Sequence, residues 1–107
     1  FIMQRFATLL ETFQGMQEGA GNLLDNVVIL ASTDTTEGQP HSINDYPILV
    51  AGGGRGALVH PGVHIRGTGN NTSDVLLTLV QAMDLPLTQF GNGPGLSQKN
   101  VSALRKA

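Results

Sequence analysis

The side chains best suited to bind a metal ion or to move protons lie in one polar stretch of the sequence. Asp34, Glu37 and His41 stand close together there, and Asp45 follows shortly after them. Carboxylate oxygens and an imidazole nitrogen are ligands that divalent cations accept in proteins. We therefore predict Asp34, Glu37 and His41 as metal ligands, with a divalent metal such as zinc, manganese or calcium as the cofactor.

The spacing of these three residues is not a specific metal motif, and by itself it favours a second interpretation. In that interpretation Asp34 and Glu37 cap turns, and His41 hydrogen-bonds the loop to itself. A Ser-His-acid triad that uses His41 has no support from the sequence, because no serine stands in the G-x-S-x-G context of a nucleophile. The metal site and the structural loop both remain open at this stage.

Two short apolar runs flank the polar stretch, at residues 27–31 and 48–51. Continuous runs rich in Val and Ile are typical of strands buried on both faces, as in the sheets of α/β proteins. In such sheets, ligands bind beyond the carboxyl ends of the strands. Since the polar loop leaves the first strand at that end, we expect any site to lie on this loop.

Apolar residues at helical spacing predict two helices. The first covers residues 2–16, and the second begins at a cap on Thr72 or Ser73, with Asp74 in its first turn, and stops at Pro86. A last short helical turn is predicted over residues 100–106. The stripe of the second helix that we expect to be buried consists of Val75, Leu76, Leu79, Val80 and Met83.

Residues 57–59 and 63–65 are strand-like pieces, and they predict a hairpin at the sheet edge around Pro61 and Gly62. His60 and His64 stand four apart, but Pro61 excludes a helix that would place them on one face. We interpret them as two edge-strand histidines and not as a metal pair. Either of them is able to hydrogen-bond a substrate or a neighbouring lobe.

The glycine-rich segment after the second strand resembles a nucleotide-binding fingerprint only formally. Gly52-x-Gly54-x-x-Ala57 follows a strand, but the fingerprint must also open a helix, whose N-terminus holds the pyrophosphate. The residues that follow include Pro61 and Gly62 and do not predict a helix. We therefore expect these glycines to form a tight connection and not a nucleotide site.

Composition narrows the class of protein. The 107 residues suffice for one domain and not two, and 40% apolar with 13% charged residues can form a core. A net charge of −2 with six scattered basic residues argues against nucleic acid as a partner, and no apolar run is long enough to span a membrane. The absence of cysteine excludes thiolate zinc sites and disulfides.

Three groups of segments, taken in order, carry a family resemblance: residues 6–10 with 18–26, residues 34–41 with 46–53, and residues 64–67 with 71–78 and 85–87. Together they resemble the C-terminal end of the HXXSHH family of exported bacterial proteins of unknown function. That family is in turn similar to the alkaline phosphatase and sulfatase superfamily. The resemblance implies a single α/β segment over residues 1–107, with a mixed sheet flanked by helices.

The same resemblance implies that the segment is the C-terminal part of a larger domain in a periplasmic, cell-surface or secreted protein. The chain opens on Phe1 and not on Met, within a helical pattern, which agrees with the expectation of a longer protein. We expect the first helix and both strands to expose apolar faces unless the upstream part of the same protein or another chain covers them.

The resemblance also assigns roles to residues of the polar loop. Asp34 matches the acidic metal ligand that follows a strand, His41 matches a later histidine ligand, and Glu37 is a further ligand or a hydrogen-bond partner of one. The implied function is metal-dependent hydrolysis of phosphate or sulfate esters. Two departures favour a non-catalytic surface or envelope module instead: Thr35 stands where a histidine usually follows the acid, and Ile43 stands where many relatives have a second histidine.

Overall fold

The computed structural model of the chain describes residues 1–59 and 62–107, and it is a mixed α/β structure. Within that part of the chain it forms three α-helices and two small antiparallel sheets of two strands each. The α/β class predicted from the sequence is thereby confirmed. In chain order the elements are α1 (Ile2–Gly15), β1 (Gln17–Glu18), β2 (Gly21–Asn22), α2 (Leu23–Asn26), β3 (Ile29–Ser32), β4 (Ile48–Ala51) and α3 (Thr72–Ala82).

Helix α1 confirms the first predicted helix, and it ends where the backbone at Met16 becomes extended. The glycine-rich residues that follow form a β1–β2 hairpin, with Gly19 at a φ of 59° in its turn. The short helix α2 was not predicted. Its N-cap Asn22 accepts a hydrogen bond from the Asp25 N–H, and the Asp25 carboxylate accepts one from the Asn22 N–H.

Strands β3 and β4 form at the two predicted apolar runs, but their arrangement corrects the prediction. They pair antiparallel, with Ile29 opposite Ala51 and Ser32 opposite Ile48. The strands are not buried on both faces, since exposure alternates along β3 and Leu49 of β4 is 45% exposed. Because the pairing is antiparallel, the polar loop spans one end of this sheet from the last residue of β3 to the first of β4.

The glycines after β4 form a tight connection, as expected, because the backbone packs against a neighbouring segment. Gly52 has a φ of 95°, and a Cβ there would lie 2.2 Å from the carbonyl oxygen of Val27. The N–H groups of Gly53 and Gly54 donate to the carbonyls of Leu24 and Val27, at 2.9 and 3.0 Å. A 3₁₀ turn over Gly54–Gly56 follows. Close backbone approach therefore accounts for these glycines without a bound phosphate.

The predicted edge hairpin is wrong in the part that is described. Leu58 pairs instead with Arg105 near the C-terminus, and the Val59 N–H donates to the carbonyl of Leu104 at 2.9 Å. Residues 63–65 have no regular secondary structure. His60 and Pro61 lie outside the described residues, and so does the predicted position of His60 on an edge strand. The predicted C-terminal turn appears as a 3₁₀ turn at Ser102–Leu104.

Helix α3 confirms the second predicted helix and corrects its cap. The N-cap is Asn71, whose side chain accepts from the Ser73 N–H at 3.0 Å, while Asp74 accepts from the Asn71 N–H at 3.2 Å. Asn71, and not Thr72 or Ser73, is the N-cap because its side-chain amide oxygen reaches a free N–H group of the first turn. The favourable place of Asp74 in that turn is confirmed.

The buried face of α3 is rotated from the predicted stripe. The buried residues are Ser73, Asp74, Leu77, Thr78, Leu79 and Ala82. Of the predicted stripe, only Leu79 is buried, and Met83 is 39% exposed. The cause is tertiary, because the C-terminal residues cover a polar side of α3. A small apolar core of Leu58, Leu79 and Ala82 closes against Val28, Val50, Ala57 and Val75.

The apolar surface expected on α1 and on the strands is present. No residue of α1 is buried, and Ile2 and Met3 are 80% and 59% exposed. Within the described residues, no helix has the length and apolar character that crossing a membrane requires.

Candidate functional site

The loop between β3 and β4 borders a cleft of about 380 Å³. One of the three predicted metal ligands, Asp34, lines this cleft two residues after the end of β3. The other polar residues of the lining are Ser32, Tyr46 and Thr72. The remaining lining residues are apolar: Leu30, Ile43, Ile48 and Leu76. The cleft therefore combines one charged group with a mostly apolar wall contributed by both strands and α3.

Hydrogen bonds link the two sides of the loop at two distances from the strands, and Asp34 lies between them. Near the strands, the Ser32 hydroxyl donates to the Pro47 carbonyl at 2.7 Å, and the Tyr46 hydroxyl donates to the Thr33 carbonyl. Further out, the Thr36 N–H donates to the Ser42 carbonyl at 2.7 Å. Hydrogen bonds thus hold the backbone on both sides of Asp34.

Most of the polar side chains that line the cleft offer hydrogen-bond acceptors to it. The hydroxyl protons of Ser32 and Tyr46 are committed to backbone carbonyls, so toward the cleft these groups offer lone pairs. The exposed Asp34 carboxylate adds only acceptors, and within the described part of the chain its one side-chain hydrogen bond comes from the Thr33 hydroxyl at 3.3 Å. Among the described residues that line the cleft there is no Lys or Arg. Electrostatically, this surface favours a cation or a hydrogen-bond donor over an anion.

Glu37 and His41 lie farther out on the same loop and do not line the cleft. Glu37 pairs with Ser42 across the loop tip, and His41 sits in the intervening turn with a φ of 51°. In residues 1–59 and 62–107, no group of three or more His, Cys, Asp or Glu side chains is arranged to hold a metal ion. The donor types suit a divalent cation, but these residues alone do not form a complete metal site. The three-ligand assignment stays a prediction.

Two further residues singled out in the sequence lie outside the cleft lining. Asp45 has a φ of 50° and pairs with Arg66 at 3.0 Å, both side chains being about three-quarters exposed. His64 is exposed in an irregular segment. An exposed ion pair of this kind contributes little to stability. Its effect is to tie the loop to the segment before α3.

The most strongly buried carboxylate was not predicted as a special residue. Asp74 is 5% exposed, and its carboxylate accepts hydrogen bonds from the Ser97 hydroxyl, the Asn71 N–H and the Asn70 side chain. Burial acts to raise the pKa of Asp74, but these hydrogen bonds, together with the positive charge of Lys99, outweigh it and lower the pKa below its ordinary value. Asp74 is therefore ionised in the folded chain at neutral pH.

The surroundings of Asp74 indicate a structural role. Ser97 is 5% exposed and also accepts from the Lys99 N–H at 3.1 Å. Thr78 is fully buried; it donates to the Asp74 carbonyl at 2.6 Å and accepts from the Val101 N–H at 2.7 Å. These enclosed contacts fasten the C-terminal segment to α3. The sequence signal for half of this cluster was the spacing of Asn71 and Asp74, which is that of a capping box.

No family model, curated protein or solved structure matches this chain. The resemblance to the HXXSHH family and to the alkaline phosphatase superfamily therefore remains a proposal. It depends on the ordered segments that carry it, of which the polar loop and the start of α3 both contribute to the cleft at Asp34.

Proposed function

We propose that this chain is the C-terminal segment of an exported, alkaline-phosphatase-like protein, and that it supplies Asp34 and an apolar wall to a ligand site which other residues complete. The observation that carries the proposal is the position of Asp34, the one charged residue among the described residues that line the cleft. The activity we propose is metal-dependent hydrolysis of phosphate or sulfate esters. Asp34 is the first ligand in this proposal, and Glu37 and His41 are the next candidates.

The charge of the cleft explains why a cation is needed for such an activity. A phosphate or sulfate ester is an anion, and the described cleft presents it with a carboxylate and with hydroxyl lone pairs. A bound divalent cation supplies positive charge that polarises the ester oxygen. In this proposal Asp34 binds the cation, while the hydrogen bond from Tyr46 to the Thr33 carbonyl keeps the preceding residue in place.

Metal analysis of the purified intact protein tests this function. We expect a divalent metal in the unsubstituted protein and at least about a tenfold weaker affinity for that metal in Asp34→Ala. Removing even a hydrogen-bond partner of a metal ligand weakens metal affinity by a factor of this order. Asp45→Ala is the matched control because it removes an acid of the same loop that does not line the cleft. The same comparison with His41→Ala and Glu37→Ala tests the two remaining ligand assignments.

A second function is favoured by a specific observation, namely that Glu37 and His41 do not line the cleft with Asp34. In this alternative the protein is a non-catalytic surface or envelope module that keeps the fold and binds through its apolar surfaces. It is supported if no divalent metal co-purifies and if Asp34→Ala combined with His41→Ala changes neither metal content nor thermal stability. That result would reject the hydrolase proposal.

A further inference from the structure

One asparagine of the sequence is followed directly by glycine, namely Asn92 before Gly93. The pair belongs to the loop of residues 91–95. Glycine matters at this position because it has no Cβ to shield its own amide nitrogen. That nitrogen and the asparagine side chain belong to one chain, so they meet without diffusion and react as an intramolecular pair.

The structure leaves both reacting groups of this pair open. Asn92 is exposed, and its side chain makes no capping hydrogen bond to the 3₁₀ turn at Gly93–Gly95 that it precedes. Nothing lies within 4 Å of a Cβ built on Gly93. Among the described residues, the Gly93 N–H donates to no backbone carbonyl. Within this part of the chain, the nitrogen that attacks therefore has no hydrogen bond to break first.

One backbone rotation separates this arrangement from reaction. Asn92 is extended, with a φ of −148° and a ψ of 166°, and its Cγ reaches the Gly93 nitrogen only after rotation about ψ. That rotation breaks the hydrogen bond from the Gly95 N–H to the Asn92 carbonyl, at 2.9 Å. Exposed loops open locally at a small cost in free energy. Gly93 has a φ of 50°, which glycine adopts without strain.

We propose that Asn92 is a site of spontaneous deamidation, and that the isoaspartate formed there loosens the loop 91–95 from the start of α3. The Gly93 nitrogen gives its proton to solvent and attacks the Asn92 Cγ. The new C–N bond closes a cyclic succinimide, and the side-chain nitrogen takes up a proton and leaves as ammonia. Water then opens the ring at either carbonyl and yields aspartate or isoaspartate. Nothing is oxidised or reduced, and water is the co-reactant.

The loop fits closely against the start of α3, which makes it sensitive to a change in backbone length. The Pro94 carbonyl accepts a hydrogen bond from the Asn71 side chain at 3.1 Å. A Cβ on Gly91 would lie 2.2 Å from the Gly95 carbonyl oxygen and 3.1 Å from the Ser73 hydroxyl. The turn therefore has no room for a methyl group at this point.

Both ends of the loop are held, because Phe90 and Ser97 exchange two backbone hydrogen bonds, at 2.9 and 2.8 Å. Isoaspartate routes the main chain through its own Cβ, so it lengthens the backbone between these fixed ends. The 3₁₀ turn and the contact of Asn71 with Pro94 then lose the geometry that they share. Aspartate keeps the original backbone and should leave both contacts intact. The proposal goes beyond the metal site and does not depend on it.

Timed incubation of the purified intact protein in mildly alkaline buffer, followed by peptide mass spectrometry, tests the chemistry. We expect Asn92 to lose its amide several times faster than Asn44 and Asn100, which are exposed but not followed by glycine. Asn92→Gln keeps a primary amide but requires a larger ring, so it should suppress the reaction at this position. Equal rates at the three asparagines would overturn the proposal. So would a rate at Asn92 that rises several-fold when urea unfolds the chain, because the folded loop would then protect it.

Amide hydrogen exchange measures the loosening. The isoaspartate form should exchange the Gly95 N–H several times faster than the unmodified protein, while exchange of the Ser97 N–H changes little. Asn92→Asp is the matched control, because it carries the new charge on a normal backbone and should exchange like the unsubstituted chain. Unchanged exchange in the isoaspartate form, or equal acceleration in Asn92→Asp, would reject backbone length as the cause. Neither assay involves Asp34, so their failure is separable from failure of the metal site.

Discussion

Removal of the Asp74 carboxylate by Asp74→Ala is the perturbation with the largest expected effect at a polar residue. Asp74 is 5% exposed and receives hydrogen bonds from the Ser97 hydroxyl and the Asn71 N–H. With alanine in its place, these donors lose their acceptor in a region that water does not reach freely. The substitution also removes the N3 partner of the α3 capping box and a negative charge near the helix N-terminus.

The magnitude follows from these losses. An unsatisfied buried donor costs about 1–3 kcal/mol, and loss of the cap and of its interaction with the helix dipole costs about 1 kcal/mol. We therefore expect Asp74→Ala to lower the free energy of unfolding by about 2–4 kcal/mol. Single domains are stable by about 5–15 kcal/mol in total. The variant should accordingly be marginally folded at 25 °C.

Urea unfolding followed by circular dichroism measures this loss, and Asp25→Ala provides the control. Asp25 occupies the same N3 position in the capping box of α2, but that box is exposed. Its removal should cost only about 0.5–1 kcal/mol, because water replaces the lost contacts. Equal destabilisation by the two substitutions would refute the argument that burial of the Asp74 cluster, and not the capping motif, determines its contribution.

Three further predictions concern pH, backbone geometry and packing. Because the pKa of Asp74 is lowered in the folded chain, its stabilising contribution is complete above about pH 3.9, the unfolded value, and is lost as the pH falls through the folded pKa; Asp74→Asn should remove this part of the acid dependence of urea unfolding. Gly52→Ala should cost more than about 2 kcal/mol, because a Cβ there overlaps a backbone carbonyl at a φ of 95°. Gly38→Ala, where nothing lies within 4 Å of the added Cβ, should change stability by less than about 1 kcal/mol; similar urea midpoints for the two would contradict the geometry. Leu77→Ala, at a site 1% exposed, should lower the thermal midpoint through a loss of about 2–5 kcal/mol, whereas Leu49→Ala, at 45% exposure, should have a much smaller effect.

The elements that were predicted correctly are those whose signals are local. The apolar spacing of residues 2–16 produced α1, and the runs at 27–31 and 48–51 produced β3 and β4. The predicted burial of these strands on both faces was wrong, because a run of Val, Ile and Leu does not reveal the direction or number of its neighbours. A strand with one exposed face can have the same run of apolar residues as a strand whose second face is covered by another segment.

The sequence likewise predicted only part of the candidate site. The sequence predicted that the polar loop leaves a strand end, and Asp34 does line a cleft there. It did not predict that Glu37 and His41 would lie outside that lining, because the course of a loop depends on hydrogen bonds such as those of Thr36 and Tyr46. The burial of Asp74 was not predicted for a related reason, because its partner Ser97 lies 23 residues away along the chain.

The sequence by itself determined where α1, β3, β4 and α3 lie, which types of metal ligand the polar loop offers, and that apolar side chains of α1 and of the strands are exposed. These properties depend on neighbours within a few positions along the chain. Tertiary structure alone decided that β3 and β4 run antiparallel and that α3 turns a polar face toward the C-terminal segment. The physical reason is that these outcomes depend on contacts between distant segments, whose free energy no local pattern contains.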